Sequence, residues 1–290
     1  MLQVARLAPT ALDESRELVV QFLRERLNPD GGFQNRAGAS DLYYTVFGLE
    51  GLVALQAELP VEQTSAYLSS FGRGEHLDFL HLICLARSWA TLRRHREALA
   101  ADQFLARIEA YRSEDGGYAQ ASGARQGTIY AAFLALGVYE DLERQLPNPD
   151  RLARAITGLR TRDGGYANQP GVESGITTTT AAAVLLLRHL STEVDREAGV
   201  WLLDRCYSRG GFFASPGAPV PDLLSTATAL HALSALHVPI AGLREPCLDF
   251  VDSLWTNRGG FHGSWADDGL DCEYTYYGLL ALGHLSLHPA

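Results

Sequence analysis

The sequence lacks the features that mark secreted, membrane-spanning and nucleic-acid-binding proteins. Its four cysteines are scattered without a CxxC pair, which argues against a disulfide framework and is typical of reduced thiols in the cytoplasm. Its longest apolar runs, such as AAAVLLL, are too short to cross a bilayer, and no secretory signal opens the chain. Acidic residues outnumber basic ones by 34 to 24, so nucleic acid is not an expected partner. We therefore predict a cytoplasmic protein that is not transmembrane.

Glycine, by contrast, is frequent, and much of it belongs to a recurring phrase. Five segments share a Gly-Gly-aromatic core: NPDGGFQN, SEDGGYAQ, TRDGGYAN, YSRGGFFA and TNRGGFHG. Their first glycines, at 31, 116, 164, 210 and 259, are separated by 85, 48, 46 and 49 residues, and a degenerate copy, FGRGEHLDFLHLICLA, lies within the long gap. Self-similarity at a nearly constant period predicts a repeat architecture of six units.

Each unit contains two helical patterns of different character. An amphipathic helix such as DRLARAITGLRT is expected to end at the Gly-Gly, where glycine would supply a left-handed cap. After a polar loop comes a helix that is apolar on every face, such as STATALHALSAL, and such helices belong inside a fold. Alternation of the two predicts a single all-α domain over residues 1–290, a closed (α/α)6 barrel or toroid of six helix pairs. An open solenoid is the alternative, and closure is favoured because a solvated groove would expose the apolar helices.

Aspartates recur where the apolar helices begin. Asp41-x-x-x-Thr45-x-x-Gly48-Leu49 is repeated as Asp271-x-x-x-Thr275-x-x-Gly278-Leu279, and its first half recurs as Asp222-x-x-x-Thr226. Asp78 has the same place in the degenerate copy, and Thr128 and Ile176 have it in the third and fourth units. An aspartate before a helix accepts hydrogen bonds from free backbone N–H groups, so these residues are first of all predicted N-caps.

The phrase Gly-Gly-Phe/Tyr, a polar loop, then Asp-x-x-x-Thr opening an apolar helix resembles the repeat of protein prenyltransferase β subunits. It is similar, more loosely, to terpene cyclase barrels of the prenyltransferase and squalene oxidase repeat family. The resemblance covers nearly the whole chain. It implies a central cavity for an isoprenoid or other hydrophobic chain, chemistry at the rim of inner-helix starts, and a helical partner protein or a homo-oligomer.

The residues depart from that family at its reactive positions. Asp222 matches the aspartate of the zinc motif, but Leu224 and Tyr274 stand where the resemblance implies a cysteine and a histidine. A lone carboxylate does not make a four-coordinate zinc site, so conventional Zn²⁺ binding is not expected. No lysine or arginine lies between Arg209 and Asp222 to neutralise a diphosphate, and the Asp-x-Asp-Asp acid motif of the cyclases is absent.

Two metal hypotheses concern the stretch WADDGLDCEYTYYGLLALGHL. Asp267, Asp268 and Asp271 match Asp-Asp-x-x-Asp, a spacing that elsewhere holds Mg²⁺ diphosphates. Asp222, Cys272 and His262 are a second set, for zinc, if neighbouring units approach each other at the rim. The alternative is that Asp271 caps its helix, the other acids lie in a solvated loop, and Cys272 is a small buried hydrophobe.

Tyrosines gather in the first turns of the predicted inner helices. Such rings suit a pocket that is apolar below and wet above, and their faces can stabilise a carbocation. The candidate substrate-binding residues are Asp41, Tyr43, Tyr44, Tyr130, Tyr274 and Tyr277, with Tyr276 beside them. The candidate catalytic residues are Asp222, Asp271 and His81. The sequence thus indicates an isoprenoid- or lipid-processing enzyme without a conventional zinc site. A non-catalytic isoprenoid-binding protein and a protein-interaction scaffold are the alternatives.

Overall fold

Two concentric rings of helices make up the computed structural model, which describes residues 1–92, 101–194 and 196–287. The inner helices are α4 (Leu42–Ala54), α6 (Phe79–Thr91), α8 (Ile129–Asp141), α10 (Thr177–His189), α12 (Leu223–Ala235) and α14 (Cys272–Ser286). The outer helices are α3 (Arg16–Glu25), α5 (Val61–Ser69), α7 (Ala101–Glu109), α9 (Pro149–Thr157), α11 (Arg196–Leu203) and α13 (Arg244–Ser253).

Short elements complete the chain. Two helices, α1 (Leu2–Ala5) and α2 (Ala8–Leu12), precede the first outer helix, and 3₁₀ turns lie at Asp13–Ser15 and Ala241–Leu243. Strands β1 (Phe212–Phe213) and β2 (Pro221–Asp222) form an antiparallel pair, with Phe212 opposite Asp222.

The inner helices form a closed ring. Each contacts the next along the chain, and the last, α14, contacts the first, α4. The predicted closed all-α barrel is therefore confirmed. The two layers differ as expected: α9 buries Leu152, Ala153 and Ile156 on one face, whereas nine of the thirteen residues of α12 are buried. Among the described residues no helix combines the length and apolarity needed to span a bilayer.

The Gly-Gly pairs lie beyond the outer helices, and the prediction that they cap them is wrong. Helix α9 ends at Thr157, and Gly164 follows in a tight turn where its N–H donates to the Thr161 carbonyl at 3.2 Å. Arg160 and Tyr166 then pair as an antiparallel bridge. The dipeptide therefore reverses the chain in a small hairpin. Its positive φ, +91° at Gly164, is required by this turn and not by a helix end.

The threonine of Asp-x-x-x-Thr connects this hairpin to the inner helix. In the first unit the buried Thr45 hydroxyl accepts the Phe33 N–H at 3.0 Å and donates to the Asp41 carbonyl at 2.7 Å. Thr226 accepts the Phe212 N–H in the same way at 2.9 Å. Since a buried N–H without a partner costs about 1–3 kcal/mol, the hydroxyl explains why the motif recurs.

Candidate functional site

The rim aspartates are helix caps. Asp41 accepts the N–H of Tyr43 at 2.7 Å, Asp78 that of His81 at 2.9 Å, and Asp222 that of Ser225 at 2.7 Å. Asp271 caps α14 through the N–H of Tyr274 at 2.8 Å, and Thr128 caps α8. The capping prediction is confirmed for all four aspartates, so these carboxylates are already engaged by backbone donors.

A cavity of about 150 Å³ lies within the inner ring. Three of the predicted tyrosines, Tyr43, Tyr130 and Tyr277, line it. Its other lining residues come from four inner helices, one loop and the start of the chain: Met1, Phe133, Asn168, Thr178, Thr179, Ala181, Ala182, Leu185, Leu224, Thr228 and Glu273. Tyr130 keeps 36% of its surface exposed, so the cavity reaches solvent beside it.

Aromatic rings of α4 and α14 pack against one another, and two of them, Tyr43 and Tyr277, line this cavity. Phe47 lies 5.0 Å from the Tyr43 ring and 5.6 Å from the Tyr277 ring, centroid to centroid. Burial raises the pKa of the Tyr277 hydroxyl well above its usual value, so it stays protonated at neutral pH. Sequence reasoning missed Phe47, although it follows Tyr43 by four residues and so shares its helix face.

Glu273 is the one carboxylate that lines the cavity in the described part of the chain. Its Oε1 accepts a hydrogen bond from the Tyr43 hydroxyl at 2.6 Å. Burial raises the pKa of Glu273 to about 7, although the bond from Tyr43 acts to lower it. Sequence reasoning passed over this residue as a neighbour of the cap. The available signal was its spacing, since Glu273 precedes Tyr277 by one helical turn.

The other predicted site residues do not line the cavity. The exposed Asp78 pairs with His81, whose Nδ1 lies 2.8 Å from its carboxylate, and this pair faces outward at the rim. Asp41, Tyr44 and Tyr274 surround the rim without reaching the cavity. Asp222 accepts both the N–H and the hydroxyl of Ser225 at 2.7 Å, and burial raises the pKa of Asp222.

Arg36 neutralises the acidic loop that matches Asp-Asp-x-x-Asp. Its Nε lies 2.7 Å from Asp271 Oδ2, and its two terminal nitrogens bind Asp267 at 3.1 and 2.7 Å. Its guanidinium also lies over the Tyr274 ring, 5.3 Å from the centroid. Although burial acts to raise it, the pKa of Asp267 is held below its usual value by Arg36. Arg36 comes from the first unit and thus joins the two ends of the ring.

No metal centre forms from the predicted candidates. Across residues 1–92, 101–194 and 196–287, no three His, Cys, Asp or Glu side chains are grouped to hold an ion. Asp267 and Asp271 share Arg36, Asp268 is exposed, and Cys272 is fully buried. His262 contacts the Gly269 carbonyl at 3.2 Å. Among the described residues the magnesium and zinc sets are not grouped, since Asp222 and Asp271 cap helices, Asp267 binds Arg36, and Asp268 lies exposed in the loop.

Removing the arginine tests this ring closure. Asp271 is only 2% exposed, so Arg36→Gln leaves a buried carboxylate without its cation. Because Arg36 itself is 41% exposed, we expect a loss of about 2 kcal/mol in the free energy of unfolding, less than for a fully buried pair. Urea denaturation measures it. The matched control is Arg162→Gln, which removes an exposed pair with Glu173 at 3.9 Å and should have no measurable effect. Equal losses in the two variants would contradict the prediction.

Sequence comparison with known families agrees with this geometry. The prenyltransferase alpha-alpha toroid domain matches residues 10–70, 70–212 and 200–287. The chain belongs to this family. The resemblance predicted from the repeats is thus confirmed. Comparison with curated protein sequences finds no match to the chain.

Solved structures share the family's fold at low sequence identity. The Candida albicans protein geranylgeranyltransferase-I complexed with GGPP superposes with a TM-score of 0.69 and 13% identity, over 94% of this chain and 90% of that one. A type II terpene cyclase variant, MstE from Scytonema, in complex with geranylgeranyl dihydroxybenzoate, gives 0.67 and 15% over 97% of both chains. An alpha-1,6-mannanase from Salegentibacter gives 0.60 and 12%, over 94% of this chain and 98% of that one. Because the toroid also carries carbohydrate chemistry, function must be argued from the site.

Proposed function

We propose that this protein is an isoprenoid-processing enzyme that binds a hydrophobic chain in the cavity of the inner ring, without a conventional zinc site. The supporting observation is the cavity wall, in which Tyr43, Tyr130, Phe133 and Tyr277 present their rings and Leu185 adds apolar surface. Apolar cavities with a few directed polar groups are the usual form of sites for small molecules. The structural relatives that bind GGPP or a geranylgeranyl compound agree with such a ligand.

The polar lining favours a ligand whose polar end is uncharged. Asn168, Thr178, Thr179 and Thr228 offer neutral donors and acceptors, and no lysine or arginine is among the lining residues described. A diphosphate would bring negative charge beside Glu273, with no lysine or arginine in the described lining to offset it. Unless Mg²⁺ accompanies the diphosphate, we therefore expect an alcohol or similar neutral group to bind better.

The cavity also favours a short chain. Its volume of about 150 Å³ is that of about five liquid waters and lies below the ~300–1,000 Å³ usual for ligand sites. Met1 lies in its lining, where α1 packs against α4 and α14. A longer chain requires this part of the lining to move, so geraniol should bind better than geranylgeraniol.

Filling the cavity tests the proposal. Ala182 lines the cavity from α10, and in Ala182→Phe the new ring would occupy the ligand's space. We expect titration calorimetry to show geraniol binding to the wild type and an affinity at least about tenfold lower, or 1.4 kcal/mol, in the variant. Ala266→Phe, on the exposed rim loop, is the matched control and should bind normally. The same titration with geranyl diphosphate, with and without Mg²⁺, tests the expected preference for an uncharged polar end. Equal affinity in all three proteins, or no binding by the wild type, would refute the proposal.

A binding protein without turnover is the second candidate, and it predicts the same titrations with no product. A core filled by its own side chains would favour the scaffold alternative, and the solvent-connected cavity therefore counts against it. A partner protein, a homo-oligomer and a cytoplasmic location stay predictions.

A further inference from the structure

Two of the four cysteines lie against each other across the boundary between the fifth and sixth units. Cys206 begins the fifth hairpin, where it pairs with Phe212 as an antiparallel bridge, and Cys247 lies on the outer helix α13. Both thiols are free, and the Cys206 S–H donates a hydrogen bond to the Cys247 sulfur. Because the whole of α12 separates the two residues in the sequence, no local pattern pairs them. Two thiols in contact are the arrangement from which a disulfide forms.

Close packing holds the two thiols together. A Cβ at Gly210 would lie 2.9 Å from the Cys247 nitrogen, and one at Gly211 would lie 2.8 Å from the Phe250 ring, so the hairpin rests directly on α13. The Gly211 N–H also donates to the Cys247 sulfur. The hairpin therefore contacts Cys247 through both its thiol and its backbone, and it cannot slide along α13 without losing these contacts.

The two thiols differ in access and in ionisation. Cys206 is partly exposed, whereas Cys247 is fully buried. The bond from Cys206 lowers the pKa of the Cys247 thiol, and the Gly211 N–H acts in the same direction, although burial opposes both. The same bond, together with burial, raises the pKa of Cys206. An oxidant from solvent therefore meets Cys206 first, and the thiol behind it is the one that more readily becomes a thiolate.

We propose that Cys206 and Cys247 are a site of reversible oxidation, at which hydrogen peroxide joins the fifth and sixth units through a disulfide. The site lies outside the inner-ring cavity and does not depend on the proposed function. The Cys206 sulfur attacks one peroxide oxygen, the O–O bond breaks, and a sulfenic acid forms as one water leaves. The Cys247 thiolate then attacks that sulfur, and the sulfenic oxygen leaves as hydroxide, which takes up the proton that Cys247 released. The two sulfurs lose two electrons, the peroxide gains them, and two waters are formed.

The disulfide would enclose the inner helix α12, from which Leu224 and Thr228 line the cavity. A crosslink stabilises a fold mainly by restricting the unfolded chain. The oxidised protein is therefore expected to unfold at a higher urea concentration than the reduced protein, and dithiothreitol should restore the lower midpoint. An unchanged midpoint in the crosslinked protein would contradict the proposed joining of the two units.

Peroxide treatment of the folded protein tests the site. The wild type is treated with hydrogen peroxide, the remaining thiols are alkylated, and a digest is mapped by mass spectrometry without reduction. We expect one intramolecular crosslink, between the peptides that carry Cys206 and Cys247, and its loss in dithiothreitol. Cys84→Ser is the matched control, since Cys84 is a buried cysteine of α6 outside the pair, and it should form the same crosslink.

Single variants separate the roles of the two thiols. In Cys247→Ala, dimedone should label Cys206, because its sulfenic acid has lost the thiol that resolves it. In Cys206→Ala, the buried Cys247 should stay unlabelled. Circular dichroism before treatment shows whether each variant is folded, and where one is not, the crosslink map of the wild type decides.

The wild-type map alone can overturn the proposal. Survival of all four thiols in peroxide, or a crosslink from Cys206 to a cysteine other than Cys247, would do so. A crosslink that forms only in urea, or only between two molecules, would do so as well, because the proposed bond forms within the folded chain. None of these results changes the expected geraniol titrations, so the proposed function is tested separately.

Discussion

Gly31→Ala is expected to lower the free energy of unfolding by more than about 4 kcal/mol. Gly31 has a φ of +92°, and a Cβ built there would lie 2.0 Å from the carbonyl oxygen of Gln63 in α5. A backbone atom inside a packed helix cannot rotate away as a side chain can. The new methyl group must therefore displace α5 from its inner partner α6 or unfold the first hairpin. Urea unfolding followed by circular dichroism measures the loss.

Gly38→Ala is the matched control in the same loop. Gly38 has a similar φ of +85°, but nothing lies within 4 Å of the position of its Cβ. Only the left-handed backbone then opposes alanine, at a cost of about 1–2 kcal/mol. If the two variants lose the same stability, backbone strain alone explains the repeat and the packing argument is wrong.

The same close approach recurs between other units. A Cβ at Gly210 would meet the Pro246 carbonyl oxygen in α13, and one at Gly259 would lie 2.3 Å from that of Leu18. Leu18 belongs to α3, the first outer helix, so the last hairpin packs against the first unit. In these three units the glycine therefore lets the hairpin contact the outer helix of the next unit, and the last of these contacts closes the ring.

Arg87→Met is expected to lower the free energy of unfolding by about 3 kcal/mol. Arg87, on α6, binds Glu50 on α4 at 2.5 Å and Asp141 on α8 at 3.0 Å, so one side chain ties three inner helices together. Glu50 is 7% exposed, and without Arg87 its buried carboxylate loses the cation that binds it. The expected loss is at the low end for buried pairs because Arg87 and Asp141 are partly exposed.

A double-mutant cycle separates the lost attraction from the stranded charge. Glu50→Gln in the Arg87→Met background removes that charge, so the double variant should be more stable than Arg87→Met alone. Urea unfolding of the four proteins gives the coupling energy. Strictly additive losses would show that the Arg87 side chain acts through its packing and not through the ion pair.

The fold could be predicted from the sequence because its signals are local. Glycine at a fixed period, aspartate before each apolar helix and helices apolar all round depend only on turn geometry, capping and burial within one unit. Tyr43, Tyr130 and Tyr277 were predicted as pocket residues from the same kind of local signal. Tyr44 and Tyr274 were predicted with them and do not line the cavity, because a position in the first turns of an inner helix does not by itself decide which side chains face the ring's interior.

The features that only the tertiary structure decided depend on contacts between distant units. Arg36 binds Asp267 and Asp271 from 231 and 235 residues away. Because of this pairing, a motif predicted to bind a metal instead joins the first and last units. Glu273 meets Tyr43 across 230 residues, and its raised pKa follows from burial that no local pattern reveals. The sequence by itself determined the repeat and favoured its closure into a ring. Which carboxylate is neutralised and which is left in the cavity was decided by the meeting of the first and last units.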